Sequence, residues 1–244
     1  MDIVDHVGMW AGELRDWLPA RLFDAHLHLG PPDVVGPVAP DRLAHALCTY
    51  MHLDAEAVAE AYAALFSGKT IDGMIAFGFP QREVAIDGAN DYVIGAMRRD
   101  PRCHGFLLSA PSDTRQAIAA YRRSGAAGVP FRGVKPYFDR VGKSVFDTAM
   151  SEFVPADLLA FMNTEGLALM LHTSRHGRGD PENQQFLRRL TDRYPRVRVV
   201  LAHMGRYTDP RQFEAFMASG LAQERDAIIL EMSSVSCPEV YDQV

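Results

Sequence analysis

Short, dense apolar runs alternate along this chain with longer segments in which apolar residues recur every three or four positions. The runs read as strands and the periodic segments as amphipathic helices. Strands are expected over 21–30, 71–79, 103–108, 133–138, 167–172 and 197–203, with a seventh beginning over 228–232. Asp41 and Asp54 start two helices in the Ala- and Leu-rich stretch 41–66, Asp100-Pro101 stops one over 90–99, and Ser112 or Asp113 caps one over 114–124. Gly166 ends a helix over 155–165, Pro195 stops one over 181–194, and another is expected over 209–223. Ahead of the first strand, Ile3, Val4, Val7, Trp10, Leu14, Trp17 and Leu18 mark an amphipathic helix over 3–18, placed to cover one end of the fold.

The later strands are apolar along most of their length, as strands are when buried on both faces of a parallel sheet covered by helices. No hairpin signal joins any two of them, and strand and helix alternate throughout, which points to right-handed βαβ units. The architecture expected is a single α/β domain over 1–244, a TIM-type (β/α)8 barrel. An open doubly wound sheet fits less well, because no Gly-rich phosphate turn follows the first strand. Val244 comes directly after the seventh strand, which leaves no room for strand eight and its helix. A C-terminally incomplete barrel, a fragment of a longer enzyme, is therefore expected, since an unclosed barrel leaves strand edges exposed.

Composition narrows the partners. With 48% hydrophobic and 23% charged residues the chain can bury a sizeable core. A net charge of -6 with no long basic run argues against a nucleic acid partner. Cys48, Cys103 and Cys237 stand at unrelated spacings, so neither a disulfide framework nor a thiolate zinc site is expected. The first residues lack the basic region and apolar core of a secretory signal, and no stretch reaches the ~18 apolar residues that cross a bilayer. A soluble, cytoplasmic protein is the expectation.

Chemistry concentrates where the apolar runs end. Across the first strand, period-two alternation sends Asp24, His26 and His28 to one face and Phe23, Ala25 and Leu27 to the other. Two imidazoles one pleat apart, about 7 Å between alpha carbons, can converge on one ion at about 2.0–2.1 Å from each nitrogen. His-x-His by itself fits an ordinary polar strand end equally well. Later runs repeat the pattern, ending in Lys135, His172 and His203, and in a parallel barrel such ends form one rim. Pro31-Pro32, Gly36-Pro37 and Pro40 lay a stiff loop over that rim. Arg175, His176 and Arg178 follow the fifth strand and Arg206 the sixth, where each can hold an anionic group or face solvent. His45 and His52 fall on helix surfaces, His104 on the opposite rim, and Met170, Met204 and Met232 read as core filling. Glu231 faces the barrel or the helices, depending on register.

With Phe23-Asp24-Ala25-His26-Leu27-His28 at strand one, Leu171-His172-Thr173 at strand five and Leu201-Ala202-His203-Met204-Gly205 at strand six, the chain resembles the amidohydrolase superfamily over about residues 22–232. Within it, the resemblance is to the amidohydrolase-related branch, which also contains decarboxylases of the aminocarboxymuconate-semialdehyde type. It implies a divalent metal, zinc before others and one ion rather than two, held by His26, His28 and His172, with His203 either binding a second metal or helping to activate water and polarise the substrate. The activity implied is that of a metal-dependent hydrolase attacking a C=O or C–N centre of a small carboxylated substrate. A metal-dependent non-oxidative decarboxylase on the same site and a non-catalytic barrel are the alternatives. Lys135 stays open between a carbamate bridging two metals, an ammonium that binds a substrate carboxylate, and a structural ion pair. Arg206, Arg175 and His176 are the other substrate-binding candidates. The resemblance also expects an aspartate at the end of strand eight, and Asp242 lies too close to strand seven to be that residue. A homodimer is compatible with the resemblance, although no interface stripe stands out.

Overall fold

The structure, a computed structural model, describes residues 5–49, 53–206, 210–221 and 226–235. Seven strands lie side by side in sequence order: β1 (Arg21–His28), β2 (Thr70–Phe77), β3 (Cys103–Ser109), β4 (Gly133–Pro136), β5 (Ala168–Leu171), β6 (Val199–Leu201) and β7 (Ile228–Leu230). Every neighbouring pair is parallel. Among the described residues no ladder joins β7 back to β1, so the sheet is a TIM-type half-barrel short of its eighth strand.

Helices run between the strands: α1 (His6–Met9), α2 (Pro40–Thr49), α3 (Ala55–Leu65), α4 (Ile86–Arg99), α5 (Thr114–Ala126), α6 (Met150–Phe153), α7 (Ala156–Glu165), α8 (Pro181–Arg193) and α9 (Pro210–Ala218). Local chemistry explains their ends. Asp54 accepts the N–H groups of Glu56 and Ala57 at the start of α3, and Asp113, rather than Ser112, accepts that of Gln116 in α5. Gly166 closes α7 with a φ of 70°, a left-handed conformation that glycine adopts without steric cost. The expected N-terminal helix is much shorter: α1 gives way to a π-turn over Trp10–Leu14, and Trp17 is 77% exposed. Ile3, Val4, His52, Asp209, Cys237 and Asp242 lie outside the described residues.

Two apolar layers follow from strand alternation. Phe77, Phe106, Met170, Val200 and Ala202 fill the barrel interior, from β2, β3, β5 and, for the last two, β6 and its end. Their neighbours Leu107, Leu169, Leu171, Val199 and Leu201 face outward into one large core shared with the helices. Met204 is buried like Met170, but Met232, beyond the end of β7, is 59% exposed and fills no core.

Charged side chains knit the loops above the C-terminal rim. Asp139, after β4, accepts from Arg42 of α2 at 2.8 Å and from Arg82, after β2, also at 2.8 Å. Arg42 pairs in addition with Glu83. Arg140 donates to the carbonyls of Pro80, Gln81 and Val84. Three loops from separate βα units are thereby fixed to one another over the site.

Candidate metal centre

On β1 the two histidines reach a common face by a route other than flat alternation. Asp24 pairs with Met74 but Leu27 with Ala76, so one extra residue bulges between them. Asp24 supports the bulge. Its Oδ1 accepts the His26 N–H at 2.9 Å, competing with the ladder for that donor. Its Oδ2 accepts the Tyr62 hydroxyl of α3 at 2.7 Å. Asp24 is thus tied to the outer helical layer and does not share the histidines' face. His26 and His28 do face each other, with their Nε2 atoms 3.3 Å apart.

His172 follows β5 and His203 follows β6; the His203 ring lies against His26, and the His172 ring against His203. Ring centroids of His26 and His203 are 4.9 Å apart, and those of His172 and His203 5.3 Å. Strand six is shorter than the expected 197–203. After Leu201 the chain turns through His203 (φ 57°) and Met204 (φ 51°), both left-handed. Each such residue costs about 1–2 kcal/mol without glycine. Backbone bonds hold the turn in place: Met204 N–H donates to the Glu231 carbonyl at 2.6 Å, and the Glu231 N–H to the Leu201 carbonyl at 3.0 Å. Thr173 Oγ1 donates to the Gly205 carbonyl at 2.7 Å, joining the ends of β5 and β6.

Every one of the four Nδ1 atoms has an acceptor. His28 reaches the Gly78 carbonyl (3.3 Å), His172 the Thr173 carbonyl (3.0 Å), His203 the Ser233 carbonyl (2.8 Å) and His26 the Glu231 carboxylate (2.8 Å). Carbonyls only accept, so these nitrogens carry the protons and the Nε2 lone pairs remain for another partner. Burial lowers the pKa of all four imidazoles, His28 and His172 most strongly, which favours the neutral form that ligates metals. Burial alone would raise the Glu231 carboxyl, but its bonds to His26 and Ser233 hold it down to about 2. Glu231 is therefore ionised and His26 neutral.

Two bare Nε2 atoms pointed at each other repel unless a cation lies between them. A tetrahedral ion about 2.0–2.1 Å from each of two nitrogens separates them by about 3.3 Å, which matches the His26–His28 distance. The donor set fits a zinc-like ion. One donor atom each from His26, His203 and Glu231 also lie within 4.8 Å of one another.

Lys135, at the end of β4, is 1% exposed, and its Nζ lies 4.9 Å over the Phe77 ring, against whose edge His26 and His28 also pack. Burial pulls its pKa down to about 7, opposed only in part by the charge of Glu231. Among the described residues Lys135 makes no salt bridge, and Glu231, whose charge reaches it, pairs with His26 instead. Arg206 is half-buried beside Phe146 and Tyr137, its Nη1 donating to the Arg175 carbonyl at 3.2 Å. Gly177 makes this approach possible, since a Cβ there would overlap the Arg206 carbonyl.

The remaining candidates turn elsewhere. Arg175 is directed to Asp180 and Glu182 at the start of α8 and does not join the histidines. His176 is exposed, resting on Phe146, with ring centroids 5.7 Å apart. Arg178 is fully buried with its guanidinium 3.4 Å over Phe213 of α9, a packing role. His45 is exposed on α2, and His104 stacks on Phe23 at the opposite end of the barrel. Sequence reasoning did not select Glu231, Ser233 or Tyr137, whose half-buried ring meets His172 at 5.2 Å and whose hydroxyl pKa desolvation pushes up to about 12. A cavity of about 460 Å³ lined by Leu27, Tyr62, Phe66, Met74 and Cys103 lies behind β1, on the side away from the histidines.

A parallel barrel with four histidines at the C-terminal strand ends describes a class of enzyme barrels. Residues 23–233 match the family described as Amidohydrolase, and the chain belongs to that family, one of enzymes. Solved barrels agree in fold. An uncharacterized TIM-barrel protein from Bordetella bronchiseptica superposes with a TM-score of 0.57 at 16% identity, covering 91% of this chain and 79% of that one. A probable 2-pyrone-4,6-dicarboxylic acid hydrolase from Acinetobacter baumannii, with citric acid bound, gives 0.56 at 14% identity over 91% and 74%. A 4-oxalomesaconate hydratase from Rhodopseudomonas palustris gives 0.57 at 12% over 90% and 77%. No curated protein sequence matches the chain. Among the described residues no helix is long and apolar enough to cross a membrane.

Proposed function

We propose that this protein is a metal-dependent hydrolase in which water attacks a C=O or C–N centre of a small carboxylated molecule and the bond to the leaving group breaks. The observation that carries the reading is the set of four histidines whose Nδ1 atoms are all engaged, leaving the Nε2 atoms of His26 and His28 3.3 Å apart at the rim. His26, His28 and His172 would hold the ion. Bound there, a divalent cation, zinc before others, supplies Lewis acidity and brings the pKa of water to about 7.

The chain's own groups do the rest. His203, fixed through Nδ1 to Ser233, presents Nε2 to take the proton of the attacking water and return it to the leaving group. Lys135 and Arg206 stand at the ends of β4 and β6 as cationic partners for a substrate carboxylate. Lys135 near its pKa is also partly neutral at pH 7, the form that can add carbon dioxide to become a bridging carbamate. Cys48 and Cys103, both free thiols, suit a reducing cytoplasm.

The test is mass balance. Zinc-loaded protein incubated with a panel of small carboxylated lactones and amides should yield products whose summed mass exceeds that of the substrate by one water, with kcat about 10²-fold lower or worse in His203→Asn. Loss of carbon dioxide instead would move the assignment to a decarboxylase. Equal inertness of parent and variant across the panel would favour a non-catalytic barrel.

A further inference from the structure

Glu231 emerges from β7 onto the rim and is 7% exposed. Four donors converge on its carboxylate. Oε2 accepts from His26 Nδ1 (2.8 Å), from the His203 backbone N–H (3.2 Å) and from Ser233 Oγ (2.9 Å), and Oε1 accepts the Ser233 N–H (2.5 Å). Ser233 in turn receives His203 Nδ1 on its carbonyl (2.8 Å), with its hydroxyl 3.1 Å from the same atom. One carboxylate therefore touches the first histidine of β1 and, directly and through Ser233, both the backbone and the ring of the histidine after β6. It does so across the gap between β7 and β1, which share no ladder among the described residues.

This arrangement has chemical consequences. A carboxylate only accepts, so it fixes the proton of His26 on Nδ1 and turns Nε2 toward His28. The same oxygen anchors the N–H of a left-handed, non-glycine residue, whose ring direction is set by that turn. With its oxygens occupied by four donors, Glu231 is poorly placed to be a metal ligand as well. We infer that Glu231, acting with Ser233, is the positioning residue that sets His26 for metal binding and His203 for proton transfer. The inference rests on the metal-hydrolase reading for its function, but not for its geometry.

Glu231→Gln is the informative change, since one end of the amide must present N–H where the site offers only donors. Zinc affinity of the full chain, measured by competition with a chromophoric chelator, should fall about 10–100-fold in Glu231→Gln with the ion-to-chain ratio kept. Ser233→Ala should fall less, and the double variant should fall by less than the product of the two effects. Proton NMR of the metal-free protein should show a low-field imidazole N–H that disappears in Glu231→Gln while those of His28 and His172 persist. Parent-like zinc affinity in Glu231→Gln would overturn the inference and leave the metal reading standing. Complete loss of zinc there, with binding retained in His26→Ala, would make Glu231 a ligand and overturn it too. If the parent binds no zinc the metal reading falls, and the low-field resonance still decides whether Glu231 holds His26.

Discussion

Lys135 bears an electrostatic cost for its place in the barrel interior, where burial pulls its pKa down to about 7. Its ammonium has left water for the face of Phe77, a contact worth about 2 kcal/mol when desolvated, and the burial penalty outweighs it, since the net shift is downward. The free amine titrates at 10.5 and the folded one at about 7. Below pH 7 both states are charged and the folded state carries the full penalty. Between pH 7 and 10.5 the unfolded chain holds a proton that the folded chain has released, so stability rises with pH through that window. In chelator-treated protein the urea midpoint should therefore climb from pH 7 toward pH 10. Lys135→Met should lift the midpoint below pH 7 and flatten the climb. Equal slopes in parent and variant would show that Lys135 is not buried as a cation. The position of Lys135 was legible as the polar end of an apolar run. Its lack of a salt bridge among the described residues was not, because that depends on which strands face it across the barrel.

Among the elements, α4 shows how the strand ends are kept aligned. The β2–β3 ladder pairs Met74 to Ala76 with Cys103 to Gly105 and goes no further. Asn90 of α4 takes over, accepting the Leu108 N–H at 2.7 Å and donating to the Leu108 carbonyl at 3.1 Å, in full burial. Leu108 pairs on its other side with Lys135, so this amide steadies the strand that carries the cation. Asn90→Leu keeps the volume but orphans two buried backbone groups, at about 2–4 kcal/mol of stability. Chemical denaturation would measure it, and a loss under about 1 kcal/mol would mean that water or a neighbour replaces the amide. Element identity was readable from periodicity and caps, as at Asp54, Asp113 and Gly166. The β1 bulge was not, since flat alternation placed Asp24 with the histidines, and only its bonds to His26 N–H and Tyr62 reveal otherwise. Nor was the turn after β6, where His203 and Met204 adopt left-handed backbone without glycine.

At the scale of the molecule, the rim joins residues that sequence order keeps far apart. The strand-end histidines were recognisable because each closes an apolar run, and the parallel order brings such ends together. Glu231 was left undecided because its direction depends on the β6–β7 register, in which Leu201 pairs with Leu230. Arg175 was assigned to the substrate, yet it pairs with Asp180, the cap of α8, whose place five residues on was the available signal. The same rim underlies the central claim that the histidines form a metal centre. The most direct test is elemental mass spectrometry of the purified chain after zinc supply and desalting, beside His26→Ala and His172→Ala. The account predicts about one ion per chain in the parent and little or none in either variant. No ion in the parent, or the same content in all three proteins, would contradict it.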